Sequence, residues 1–265
     1  MSAGVELLKG LQIEHGPIPQ LGRFFLLADR LLADAGVKVF RTSLDAAAEA
    51  QAANVDSWAM FPPMLDTRLS PISEDESFAL LGKDASGDVV CAQAARFYDL
   101  GERSFKDIVT DQSFFYGSQI PPDPGMPLAA VTAPSAGHIK GRMLYSGALW
   151  VHPKCRGRHL TGVLPRISRA YGVARWNTQT TVGMVREDNM VPKLLASYGY
   201  KTIEPRFTIT KLAPTTLSWC IMVMQQAELL EDLNRFVEAR SSEIDTAVSD
   251  SSTEHKGHAV GGRHG

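Results

Sequence analysis

The chain has little with which to cross-link or anchor itself. Its three cysteines, Cys91, Cys155 and Cys220, lie far apart; they lack the paired spacing of a metal site and are too few for a disulfide framework. Reduced, cytoplasmic residence and no bound metal are therefore the expectation. No apolar run approaches the ~20 residues needed to cross a bilayer, so no membrane span is expected. Met1 to Glu6 lack a basic stretch leading into an apolar one, so no signal peptide is expected. Excess positive charge is missing too. With 27 Lys and Arg against 29 Asp and Glu, the net charge is -2, which argues against a dedicated nucleic-acid binder. No internal repeat is visible. What remains, 265 residues of which 44% are hydrophobic and 21% charged, suits one large globular domain or one domain with appendages.

Residues 2–11 suggest a short helix. From Pro17 to Gly36 a stronger one places Leu21, Phe24, Phe25, Leu27, Leu31 and Leu32 on an apolar stripe and stops at glycine. Val37 to Arg41 alternates as a half-buried strand. Thr42 or Ser43 can cap an Ala-rich helix from Leu44 to about Val55. A second helical piece, Asp56 to Leu69, is interrupted by Pro62-Pro63. Two apolar runs, 77–83 and 89–94, flank a Gly-containing turn and predict a hairpin. The stretch 99–142 then carries Phe105, Phe114, Phe115 and Tyr116 among several prolines. It reads either as an excursion packed by its own aromatics or as an insert covering a substrate. Strands are expected at 143–151, 180–185, 202–212 and 217–224, with helices from about Val163 and over 190–198. The acidic amphipathic stretch 225–240 predicts a helix that packs on the sheet or on a second subunit, leaving a homodimer open. Beyond Ser241 the Ser-, Gly- and His-rich residues predict a disordered tail.

One junction organises the rest. Met143 to Val151 reads as a buried central strand, and Pro153, which cannot donate to a ladder, should end it. Leu164, Ile167, Tyr171 and Ala174 then repeat at helical spacing, with Arg166, Arg169 and Arg175 on other faces. Between them lies the basic loop His152 to Gly162. A strand, a tight loop and a helix start aim free N–H groups and the positive end of a helix dipole at one point, a seat for phosphate or pyrophosphate. Pro165 lacks an N–H and suits only an opening turn, so Thr161 is the expected N-cap.

The same residues resemble the acyl-CoA motif of the GCN5-related N-acetyltransferase superfamily. Val151-His152-Pro153 matches its strand end and Arg156 its first loop position, while His159 and Thr161 stand where the family has glycines. Asn189, with the helix ending at Gly199-Tyr200, resembles its second signature, one residue short in spacing. The resemblance implies a mixed α/β sheet of the acyl-CoA N-acyltransferase type with helices on both faces. It would cover residues 37–224 including the 99–142 insert, with an N-terminal helical extension (1–36), a C-terminal helix (225–240) and the tail (241–265). It also implies that Leu149, Trp150 and Val151 offer backbone groups to pantetheine, and that Arg156, Gly157, Arg158, His159, Leu160, Thr161 and Gly162 hold the pyrophosphate, with Asn189 near the cofactor. The cosubstrate would be acetyl-CoA or a longer acyl-CoA. The acceptor would be a small-molecule or peptide amine, attacked directly in a ternary complex.

Such transfer needs an acid for the leaving thiolate and a route for the amine proton. The family's usual tyrosine, four residues before the glycine, falls here on Leu195, so Tyr198 is the candidate acid, with a packed core residue as the alternative reading. The central strand offers Tyr145, Ser146 and Gly147 but no carboxylate, so Glu187 and Asp188 are substitute candidates for the base. His152 can titrate near neutrality but suits a surface position. Cys155 lacks an evident base partner, and Asn189 could equally cap a helix. The tail histidines, His255, His258 and His264, suit a solvated segment better than a metal site. Two rivals stand beside the enzyme: a CoA-binding or structural protein that has lost catalysis, and a nucleotide-binding α/β domain, since pyrophosphate loops are widely shared.

Overall fold

A computed structural model describes residues 4–117, 125–211 and 216–254. In chain order the elements are β1 (Val5–Glu6), α1 (Ile18–Asp34), β2 (Lys38–Thr42), α2 (Leu44–Ala52), β3 (Ser77–Lys83), β4 (Val89–Asp99), α3 (Phe105–Thr110), α4 (Ser113–Tyr116), β5 (Leu128–Val131), β6 (Arg142–Val151), α5 (Leu160–Trp176), β7 (Thr180–Arg186), α6 (Pro192–Tyr198), β8 (Thr202–Thr210), β9 (Leu217–Gln225) and α7 (Gln226–Glu254). The strands form one nine-stranded sheet in the order β1-β2-β3-β4-β6-β7-β9-β8-β5. Among the described strands only β6 and β7 run parallel, joined by the α5 crossover that a parallel pair requires.

Period-two alternation sends side chains to two cores. In β3, Phe78 and Leu80 join α1, α5 and α7 on one face, while Ala79 and Leu81 join α2 and the 57–65 segment on the other. Both faces of β3 are buried, which is why it reads as a continuous apolar run. Ser43 caps α2, its hydroxyl accepting the Ala46 N–H at 3.3 Å, and Gly36 (φ 71°) turns the chain out of α1.

Four expectations change. Residues 2–11 hold no helix among those described: Val5 and Glu6 pair with Arg41 and Phe40, extending the sheet by one short strand. Pro62-Pro63 limits 56–69 to turns and a single 3₁₀ turn, Pro63–Leu65. The N-terminal segment is no separate appendage, because Leu21, Phe24, Phe25 and Leu32 are buried in the same core as α5 and α7. Finally, α7 does not end at Arg240 but continues to Glu254; the tail histidines lie outside the described residues.

The 99–142 segment contributes α3, α4 and β5. Ser104 and Asp107 form a capping box at the start of α3, with bonds of 2.8 and 3.2 Å. Phe105, Phe114, Phe115 and Tyr116 are fully buried. Phe114 meets Phe105 edge-on at 5.1 Å and Tyr145 of β6 at 5.6 Å. Its aromatics pack against each other, as one reading expected, and also onto the sheet.

Candidate active site

The site begins where two strands part. β6 and β7 pair only from Met143–Thr180 to Tyr145–Val182, yet β6 continues to Val151 and β7 to Arg186. A bulge accentuates the divergence. On β4 the register steps from Ala92–Trp150 to Ala94–Gly147, so β6 holds an additional residue there, with Ala148 at φ 54°. Residues 146–151 therefore turn a strand edge toward β7 without a ladder partner. A cavity of about 750 Å³ fills the gap.

At its mouth sits the loop predicted to hold phosphate. Pro153–Cys155 form a 3₁₀ turn, and His152 Nδ1 accepts the Lys154 N–H at 3.1 Å. The left-handed conformations of Gly157 (φ 82°) and His159 (φ 59°) then fold the backbone back into α5. The helix starts at Leu160 with His159 as N-cap, two residues before the start that a Thr161 cap would give. Pro165 consequently lies in the second turn rather than the opening one, and its missing N–H deprives the Thr161 carbonyl of its helical bond. Proline and threonine both line the cavity.

Of the residues expected to bind cofactor, Leu149, Trp150, Val151, Arg156, Gly157, His159, Leu160, Thr161 and Asn189 line this cavity. Arg158 and Gly162 are placed elsewhere. Arg158 donates from Nη1 to the Ala35 carbonyl at 3.0 Å and lines a separate cavity of about 550 Å³ beside the end of α1. The Gly162 carbonyl accepts Arg166 Nη1 at 2.7 Å. Tyr198, at the end of α6, lines the main cavity, and burial, reinforced by Tyr200, pushes its phenol up to about 12. Glu187 is exposed in the turn after β7 and lies outside the lining. Asp188 pairs with Arg186. Cys155 is buried at the cavity wall, and burial raises the Cys91 thiol to about 12, with Cys155 adding to the effect. His152 packs edge-on to Trp150 at 5.8 Å and is not part of the lining.

Three parts of the site lay beyond the sequence reading. The first is the wall opposite the loop, residues 57–64, held by Trp58 stacking on Trp150 (5.0 Å, 8°) and by the Trp150 indole donating to the Ser57 carbonyl at 3.2 Å. The second is a buried chain from Gln93 Nε2 to Ser146 Oγ and on to Ser168 Oγ, each step 2.9 Å. Gln93 was the one visible signal, a polar residue inside an apolar strand. The third lies behind the loop. Arg166 and Arg169 are buried rather than outward-facing, and both pair with Asp232 of α7. Arg166 also donates to the Gly162 and Ser197 carbonyls, and Arg169 to that of Tyr198. Together they tie α5, α6 and α7 into one unit. Burial pulls the Arg166 guanidinium down from its usual value while the pairing with Asp232 opposes that shift.

No protein-family model matches the chain, and no curated protein matches it. Solved structures give distant likenesses. Arabidopsis thaliana NAA60 in complex with acetyl-CoA is 9% identical, with a TM-score of 0.44 over 72% of this chain and 99% of that one. The spermidine/spermine N-acetyltransferase SpeG from Vibrio cholerae, in mutant form, is 10% identical at 0.41 over 74% and 97%. The GNAT domain of S. lividans PAT is 11% identical at 0.40 over 71% and 90%.

Proposed function

We propose that the chain is an acyl-CoA-dependent N-acyltransferase that transfers the acyl group directly to a primary amine in a ternary complex. One observation carries the reading: the parted strands β6 and β7 open onto a cavity whose mouth is a basic loop and the start of α5. The residues present fit an anionic, amide-bearing cosubstrate. Arg156 supplies charge for a pyrophosphate, the amides at the start of α5 supply donors, and the free edge of β6 matches the amides of a pantetheine arm. Acetyl-CoA or a longer acyl-CoA meets that description.

The chain's own contributions follow. The edge of β6 orients the thioester, and the wall 57–64 excludes water. Tyr198, a phenol protonated at neutral pH and more firmly so through burial, holds the proton that the departing thiolate takes. Glu187, outside the lining, acts only through an intervening water.

A catalytically silent CoA-binding protein is the second reading, favoured by the absence of Asp or Glu from the described lining. Thiol release from acetyl-CoA in the presence of primary amines, compared between wild type and Tyr198→Phe, separates the two. The enzyme reading expects a rate for the wild type and a loss of about 10²-fold or more in the variant, with acetyl-CoA affinity unchanged. Binding of acetyl-CoA with no amine-dependent thiol release supports the silent protein.

A further inference from the structure

The cavity passes through the sheet, and its two ends differ in chemistry. On the α5 side lie the basic loop, Tyr198 and Met222. On the other side, Trp58, Met64, Tyr145, Met184, Ile209 and Trp219 belong to or pack on the core away from α5. Strand alternation enforces the division: Met184 and Trp219 face one way, Val185 and Cys220 the other. The far compartment is thus apolar and aromatic.

Its charge is equally one-sided. Among the described lining residues there is no Asp or Glu, while Arg156 lines the mouth and Arg186 lines the cavity paired with Asp188. A ligand with several ammonium groups would leave water for a site with no carboxylate in its lining. The Trp58 face is already covered by Trp150, which removes an obvious cation–π platform. Two buried polar atoms of the described lining have no hydrogen-bond partner, Gln93 Oε1 and the Trp219 indole N–H, and an oxygen of a bound molecule would satisfy the indole.

Building on the acyltransferase reading, we propose that this compartment takes the acceptor, and that the acceptor is a single primary amine carried on an aromatic or apolar group rather than a polyamine. The amine nitrogen attacks the thioester carbon, the C–N bond forms and the C–S bond breaks. The sulfur leaves with the bonding pair and takes the Tyr198 proton, while the nitrogen loses a proton that passes through water to the tyrosinate and restores the phenol. Amide and free thiol result, with no change of oxidation state.

The test measures thiol release from acetyl-CoA with 2-phenylethylamine and with spermidine, for the full chain and for Met184→Glu, with calorimetric binding of acetyl-CoA in parallel. The expected kcat/KM favours 2-phenylethylamine by about tenfold or more, the range in which an apolar pocket discriminates. Met184→Glu places a carboxylate in the compartment and shifts that ratio toward spermidine by about tenfold, with acetyl-CoA affinity preserved. Equal or better use of spermidine by the wild type overturns the proposal, and that comparison stands even if the variant does not fold. Acetyl-CoA binding with neither amine consumed also overturns it while leaving the cosubstrate assignment intact. No acetyl-CoA binding overturns the acyltransferase reading itself.

Discussion

At the residue scale, Gly199 shows how a cap and a charge cluster share one constraint. It ends α6 at φ 78°, and a Cβ there would stand 2.6 Å from Arg166 Nη2 and 2.8 Å from both Asp232 carboxylate oxygens. An alanine therefore meets the left-handed penalty of about 1–2 kcal/mol and also displaces a buried ion pair. Gly87 is the control, with φ 87° and open space around it. Gly199→Ala is expected to lower the melting temperature clearly more than Gly87→Ala, as differential scanning fluorimetry would show; equal shifts would contradict this packing. The Gly-aromatic pair was visible in the sequence, but Asp232 could not be placed behind it, because nothing local links residues 33 positions apart.

At the scale of elements, α5 is held by what covers it. Its three arginines were spaced like a polar face, yet α6 and α7 cover Arg166 and Arg169, and Asp232 supplies the counter-charge. Apolar periodicity identifies the helix but not a second layer that lets an arginine be buried. Asp232→Asn leaves two guanidinium groups without a full counter-charge and is expected to destabilise the fold by about 3–5 kcal/mol, read from denaturant unfolding midpoints. A change under about 1 kcal/mol would match an exposed pair instead. The hairpin β3–β4, the helix α1 and the strand β6 were all legible because each carries its own apolar run or stripe and its own stop signal. The segment 56–69 was not, since Pro62-Pro63 leaves it no period and its form is set by packing on β4 and Trp150.

At the scale of the whole molecule, the insert and the cleft share one core. Phe114 touches Phe105 of α3, Tyr145 of β6 and Phe207 of β8, so the insert supports the strand at which the cavity opens. Phe114→Ala is expected to cost about 3–5 kcal/mol, seen as a lowered unfolding midpoint for the entire chain rather than as local loosening. The loop proposed to hold phosphate was readable as a strand end, a basic turn and a helix start, all contiguous. The far wall and the apolar compartment were not, because they join residues 57–64 to strands more than 80 positions away. The central claim is that the parted strands receive an acyl-CoA. Calorimetric titration of the full chain and of Arg156→Ala with acetyl-CoA tests it most directly. The account predicts saturable binding to the wild type, weakened about tenfold or more in the variant, as expected when a charge-assisted hydrogen bond worth about 1.5–3 kcal/mol is lost. Absence of binding to the wild type, or equal affinity in the two proteins, would contradict it.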